Sequence, residues 1–152
     1  MVLKVATVKK KAVIFFYDGS QRSGNFFLSP VSAKHAGTES IGELLTGERN
    51  FIPFEQEAGS VALISRENIA MVQLQEETAD TPVPGLRKVR VSLSLLTNEI
   101  LEGIISFTLP EHYSRVSDFI NSSDAFFRFD SDGKIFLVRT RFIKMISEVG
   151  SR

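Results

Sequence analysis

Two stretches of this chain, Val13 to Leu74 and Val91 to Val149, follow one pattern of apolar runs, turns and glycines. Each opens on an apolar strand and a polar turn, Tyr17-Asp18-Gly19-Ser20 in the first and Leu96-Thr97-Asn98-Glu99 in the second. A glycine follows in each next strand, Gly24 and Gly103. Each stretch then carries a short amphipathic segment, with Ile41, Leu44 and Leu45 in one and Val116, Phe119 and Ile120 in the other. Each closes on a Phe-rich strand, a glycine turn and a final strand around Ile69, Met71 and Val72, or Ile143, Met145 and Ile146. A repeat of this kind constrains architecture, because a unit that cannot bury its apolar face alone must cover it with its neighbour. It does not by itself specify chemistry.

The second copy has the cleaner pattern. Val89, Val91, Leu93 and Leu95 alternate with Lys88, Arg90, Ser92 and Ser94, the period of a half-buried strand. Thr97-Asn98-Glu99 supplies a turn, and Ile100 to Leu109 resumes extended structure, with a bulge or bend expected at Gly103. Pro110 ends that strand. Ser114 is placed to cap a short helix whose apolar face is Val116, Phe119 and Ile120. Ala125 to Phe129, a turn at Asp130-Ser131-Asp132-Gly133, Lys134 to Val138 and a last strand from Phe142 to Val149 complete it.

The first copy reads the same way. Its strands are Val13 to Tyr17, Gly24 to Leu28, Phe51 to Phe54, Val61 to Ile64 and Ile69 to Leu74. Leu3 to Val8 offers one more. Ser40 and Glu43 have capping-box spacing before its helix, and Pro53 suits an edge strand. Residues 75–86, rich in Glu and Pro, form a linker. The expectation is a mostly β (α+β) protein of two tandem β-β-α-β-β copies, residues 1–74 and 87–152, forming barrel-like halves related by a pseudo-twofold axis. Copies of about sixty residues are marginal alone, so each half needs the other's apolar surface.

Composition narrows the function classes. The absence of Cys removes disulfides, thiolate zinc sites and cysteine nucleophiles together. The N-terminal residues have no apolar signal-like core, and no apolar run reaches the roughly 18 residues of a bilayer span, so no membrane is expected and the cytoplasm is the expected location. A net charge of zero argues against strong non-specific nucleic-acid binding. The charge is uneven: residues 1–38 carry six Lys and Arg against Asp18, and residues 39–85 carry nine Asp and Glu against Arg49 and Arg66. This is either a polarised surface or the ordinary clustering of charge on solvated faces.

Several constellations are candidates for chemistry. Asp130-x-Asp132-Gly133 begins like a calcium loop, but Phe136 and Val138 occupy the positions where further oxygen ligands belong, so a charged hairpin turn is expected. His35 and His112, the only histidines, precede the two helices; two ligands alone do not make a zinc site, and no metal or cofactor is expected. Arg115, Asp118 and Asn121 form a polar ledge able to hold a phosphate or a partner's backbone, or else a helix-terminal ion pair. Arg139 and Arg141 alternate, so both can face one side of a bent strand and, with Arg128 and Lys144, form a basic patch or a charged sheet edge. The pairs Phe15-Phe16, Phe26-Phe27 and Phe126-Phe127 send one ring to each face of a strand, so both faces need cover, from a helix, the other copy or another subunit. No nucleophile elbow, phosphate-binding Gly loop or His-Glu-x-x-His motif occurs, and no catalytic residue is assigned.

Val13 to Gly24 and Val91 to Gly103 resemble the first motif of Sm-like, SH3-type small barrels, an apolar strand, a polar turn and a strand entered through a glycine. Gly59 to Ile69 and Gly133 to Ile143 resemble the second motif. The resemblance implies barrel-like strand order. The chain differs in placing a helix between the second and third strands, in lacking the family's Asp-x-x-x-Asn base-binding loop, and in having Arg66-Glu67 and Thr140-Arg141 where the family has Arg-Gly. Arg115 to Asn121, ahead of a Phe pair, also resembles an uncharacterised bacterial domain. The leading expectation is a non-enzymatic interaction or scaffolding module that self-associates through its Phe-rich faces, as a homo-oligomer or with another protein. The alternative is a nucleic-acid or anionic-ligand binder of Sm-like type, and a third reading is an enzyme with no recognised motif.

Overall fold

A computed structural model describes residues 7–33, 36–75, 86–108, 115–122 and 125–149. Strands β1 Val8–Phe16 and β2 Gln21–Leu28 precede helix α1 Ile41–Leu45, which is followed by β3 Phe51–Gln56, β4 Val61–Ser65 and β5 Ile69–Leu74. Strands β6 Arg87–Leu95 and β7 Ile100–Phe107 precede helix α2 Val116–Ser122, followed by β8 Phe126–Ser131, β9 Lys134–Arg139 and β10 Ile143–Glu148. Single 3-10 turns, Arg66–Asn68 and Thr140–Phe142, join β4 to β5 and β9 to β10. All but the last two residues of the expected strand at Leu3 to Val8, the Ser114 cap, Pro110, both histidines and most of the linker lie outside the described residues; Val8 opens β1.

All ten strands belong to one antiparallel sheet that does not close, in the order β10-β6-β7-β8-β9-β5-β1-β2-β3-β4. The first five strands and the last five are paired in the same way. Ile14 faces Val72 as Leu93 faces Ile146, and Asn25 faces Glu55 as Ile104 faces Asp130. Phe15 faces Met71 and Phe16 faces Ile69, leaving Ala70 as the extra residue of a bulge. Lys144 is the corresponding extra residue between the partners of Ser94 and Leu95. The bulges therefore fall at Ala70 and Lys144, not at Gly103, where β6 and β7 stay in register from Arg87↔Phe107 to Ser94↔Ile100. Gly103 instead marks a close approach of β7 to β8. A Cβ there would collide with the Asp130 carbonyl oxygen and lie 2.8 Å from the Phe129 ring. Gly24 meets the Glu55 carbonyl and the Phe54 ring in the same manner.

The two sets join through β5 and β9, from Met71↔Val138 to Leu74↔Ile135. A twofold axis would join them through the same strand of each. The join instead uses the last strand of the first set and the fourth of the second, so the relation is head-to-tail and the expected pseudo-twofold does not describe it. This order leaves β4 and β10 as the sheet's two edges.

Strand alternation divides the apolar residues between two cores. One contains Ile14, Phe26, Leu28, Leu45, Ile52, Phe54, Ile69 and Val72; the other contains Val91, Leu93, Leu95, Ile105, Phe107, Phe129, Val138 and Phe142. The strands at the join serve both. Phe126 belongs to the first core and Phe127 to the second, while Phe16 packs on the first and Phe15 on the second. On β9, Leu137 packs against the first core and Phe136 and Val138 lie in the second.

Local chemistry sets the element ends. The Ser40 hydroxyl accepts from the Glu43 N–H and the Glu43 carboxylate accepts from the Ser40 N–H, both at 3.1 Å, the expected capping box. Asp132 and Gly133 have φ of 53° and 76°, so the β8–β9 hairpin is a two-residue turn of the kind that needs positive φ at both central positions, shorter than the four residues expected. Pro53 is tolerated inside β3 because pairing with β2 ends at Phe54, although β3 itself is not an edge strand. No helix among the described residues is long and apolar enough to cross a membrane.

Candidate functional site

The polar ledge of α2 closes on itself. The Arg115 guanidinium donates to Asp118 at 3.1 Å and 3.4 Å, and the Arg115 N–H reaches the same carboxylate at 3.4 Å. The hydrogen bonds from Arg115 hold the Asp118 carboxyl below its ordinary range. Asn121 donates its amide to the Ser117 carbonyl at 2.8 Å, one helical turn back. Arg115 immediately precedes α2, and the structure brings it together with Asp118 as a helix-terminal ion pair while turning Asn121 onto the backbone.

The basic patch does not assemble. Arg139 is 3% exposed; it donates from Nε to the Ile69 carbonyl and from Nη2 to the Arg66 carbonyl, both at 2.7 Å. Its guanidinium also lies 4.4 Å from the centre of the Phe126 ring. Burial pulls its pKa below the ordinary arginine value, while Tyr17 and Glu67 oppose that shift. Arg141 faces solvent, with only a 3.8 Å approach to Glu67. The two arginines part because the Thr140–Phe142 turn breaks the strand between them, so strand alternation no longer applies. Arg128 pairs with Asp130 at 2.8 Å, and Lys144 donates to the Asn98 side chain at 2.7 Å. Tyr17, near Arg139 and Arg141, is pushed up by burial. Arg139 is thus the clamp of the β5–β9 join, reaching from β9 to the turn and strand beside it.

The Phe pairs are largely internal. Phe26, Phe126 and Phe127 are buried and Phe15 and Phe16 pack on the two cores, so Phe51, at 57%, is the exposed phenylalanine among the described residues. Self-association through broad Phe faces therefore has little surface to use.

Apart from Val31, Leu96 and Ile100, the most exposed apolar side chains among the described residues lie at or beside the sheet edges. On β4, Val61 is 58% and Leu63 67% exposed; Phe51 lies beside them on β3, and Met145 on β10 is 57% exposed. Strand β4, Val-Ala-Leu-Ile-Ser, has no charge and no proline, the devices that usually protect an edge from pairing. A groove of about 460 Å³ runs between α2 and β10, walled by Val116, Ser117, Ile120, Ile143, Met145 and Ile146. Another, of about 560 Å³, lies between α1 and the join, walled in part by Ile41, Gly42, Leu74 and Leu137. Among the described residues no three His, Asp or Glu side chains cluster as metal ligands do. The sequence did contain a signal for the edge residues: Val61 to Ile64 is apolar on both faces, which suits a covered strand.

Compared with known proteins, the chain matches no family model, no curated protein and no solved structure.

Proposed function

We propose that this chain is a non-enzymatic interaction module that self-associates through its sheet edges, and that its two halves are copies of one barrel-like unit. Support for the copies comes from the matching registers. Every pairing within β1–β5 has a counterpart within β6–β10, including the bulge and the glycine close approach. A constant offset of 74 residues relates β4 to β9 and β5 to β10, from Ser65/Arg139 and Ile69/Ile143.

One observation carries the interaction reading. Positions that are covered at the internal join are bare at the free edges. Phe126, Ile135 and Met71 are 8%, 6% and 5% exposed, and their counterparts Phe51, Val61 and Met145 are 57%, 58% and 57% exposed. Half-buried Leu137 corresponds to Leu63, at 67%. Apolar side chains at a strand edge with unpaired backbone groups form a template for another strand. Light scattering over a wide concentration range tests the reading. A mass that rises above the monomer supports it, and a constant monomer mass refutes it.

A further inference from the structure

We infer that β4 of one chain docks antiparallel along β10 of a second copy, in the register of the β5–β9 join, with Leu63 seated in the groove between α2 and β10. This rests on reading the chain as a self-associating module, and it specifies the partner, the strands and the register.

The internal join is the template. There Met71, Val72, Gln73 and Leu74 face Val138, Leu137, Phe136 and Ile135. Carrying these by the 74-residue offset places Met145 opposite Ile64, Ile146 opposite Leu63, Ser147 opposite Ala62 and Glu148 opposite Val61 of the second copy. The template also has a seat. Leu137 of β9 packs against the first core, and a Cβ on Gly42 of α1 would lie 3.9 Å from its Cδ1. Beside β10 the corresponding helix is α2, and Ser117, which follows Val116 as Gly42 follows Ile41, walls the open groove. Among the described residues no strand enters that groove, because β10 is the end of the sheet. The groove is thus where the counterpart of Leu137 would lie if a further strand followed.

Each chain offers one β4 edge and one β10 groove, and these are different surfaces. Such a head-to-tail contact repeats from chain to chain, ending in a ring if its rotation closes and a filament if it does not. A second copy fits better than an unrelated strand, because this chain already packs the counterparts of these two strands, β5 and β9, against each other with Leu137 beside a helix.

Two edge variants and a disulfide pair test the inference. Leu63→Asp blocks the β4 edge and Met145→Asp the β10 edge; both sites face solvent in the single chain, so circular dichroism and melting should match wild type. Each variant alone is expected to lose the high-mass species. Mixed together they are expected to form a dimer of one of each, through the one intact edge that each retains. With no native Cys, Ala62→Cys combined with Ser147→Cys should yield disulfide-linked multimers under mild oxidation. Ala62→Cys with Val149→Cys, two residues out of register, should not. If wild type associates but the variants associate normally and the register pair does not cross-link, this interface is overturned and the self-association reading stands. If wild type is a monomer at every concentration, both fall. If either Asp variant associates alone and mixing changes nothing, the head-to-tail geometry is overturned.

Discussion

Gly24 and Gly103 carry constraints that no other residue type meets at their positions. Each lies where a neighbouring strand's carbonyl and a Phe ring occupy the space of a Cβ. The blocking atom is backbone, so the strand pair must separate. Gly24→Ala and Gly103→Ala are each expected to destabilise by about 3 kcal/mol, at the upper end of ordinary overpacking, read as a lower urea midpoint with an unchanged slope. Arg139 is constrained differently. Its two hydrogen bonds go to the carbonyls of Arg66 and Ile69, and Arg139→Met would remove both while keeping the bulk, leaving the Arg66 carbonyl only the Ile69 N–H. Hydrogen bonds from a charged group are worth about 1.5–3 kcal/mol, so a loss of about 2–4 kcal/mol is expected in chemical denaturation. Glu55 supplies a pH dependence. It accepts from Lys9 at 2.9 Å and Asn25 at 3.1 Å, and these bonds hold its carboxyl below the ordinary 4.5. The native state therefore favours the ionised form. The associated stability is complete above the ordinary value and is lost as pH falls through the lowered one. Replacing Lys9 by Met should flatten the acid limb of a stability–pH curve, and an unchanged limb would remove Glu55 from the account. Both glycines were visible in the sequence as fixed points, but the reason was not. A bulge and a close approach leave the same mark in one strand, and only the neighbouring strand distinguishes them. Arg139 parts from Arg141 for a related cause, since alternation places a side chain correctly only while the strand continues.

At the scale of elements, local rules carried furthest where the contacts are local. The capping box at Ser40, the positive-φ hairpin at Asp132-Gly133 and the alternation of β6 all depend on residues near in sequence. The order of strands does not. Join pairs such as Met71↔Val138 link residues far apart along the chain, and nothing in either strand's own pattern specifies the other. Pro53 illustrates the boundary between the two: it marked a place where pairing fails, which is correct, yet the strand holding it has a partner on the other side. The shared join also has a thermodynamic consequence. The first core includes Phe126 and is packed by Leu137, both from the second half, while the second core includes Ala70 and Met71 from the first. A fragment of residues 1–75 would lose these contacts and expose β5 as a second apolar edge beside β4. Such a fragment is expected to lack a cooperative melting transition, as is a fragment of residues 86–152, and mixing the two should restore one. Two sharp, independent transitions would show instead that the halves are separate folding units.

For the whole molecule, the decisive asymmetry is between the join inside the chain and its counterpart at the edges. The proposed contact between copies would share the register of the join and its kinds of apolar residue, but it differs at the clamp. Arg139 holds the internal join, and Ser65 stands at its counterpart, too short to reach across to another strand's carbonyls. The proposed outer contact would accordingly be the weaker of the two, forming and dissociating while the inner one persists. Such a contact would also be largely apolar and backbone-driven in a chain of zero net charge, so its salt dependence should be slight, unlike that of phosphate-directed binding. The asymmetry can be reversed by design. Ser65→Arg would place a guanidinium where the template has Arg139, within reach of the Ile143 and Thr140 carbonyls of the second copy, which correspond to Ile69 and Arg66. Phe51, 57% exposed, would lie beneath it as Phe126 lies beneath Arg139. Two charge-assisted hydrogen bonds and a cation–π contact, offset by the immobilised side chain, should tighten association by about tenfold or more. Sedimentation of Ser65→Arg beside wild type reads this directly. Tighter assembly that Met145→Asp abolishes is the expected result, whereas unchanged or weaker assembly would mean that the edges meet in some register other than that of the internal join.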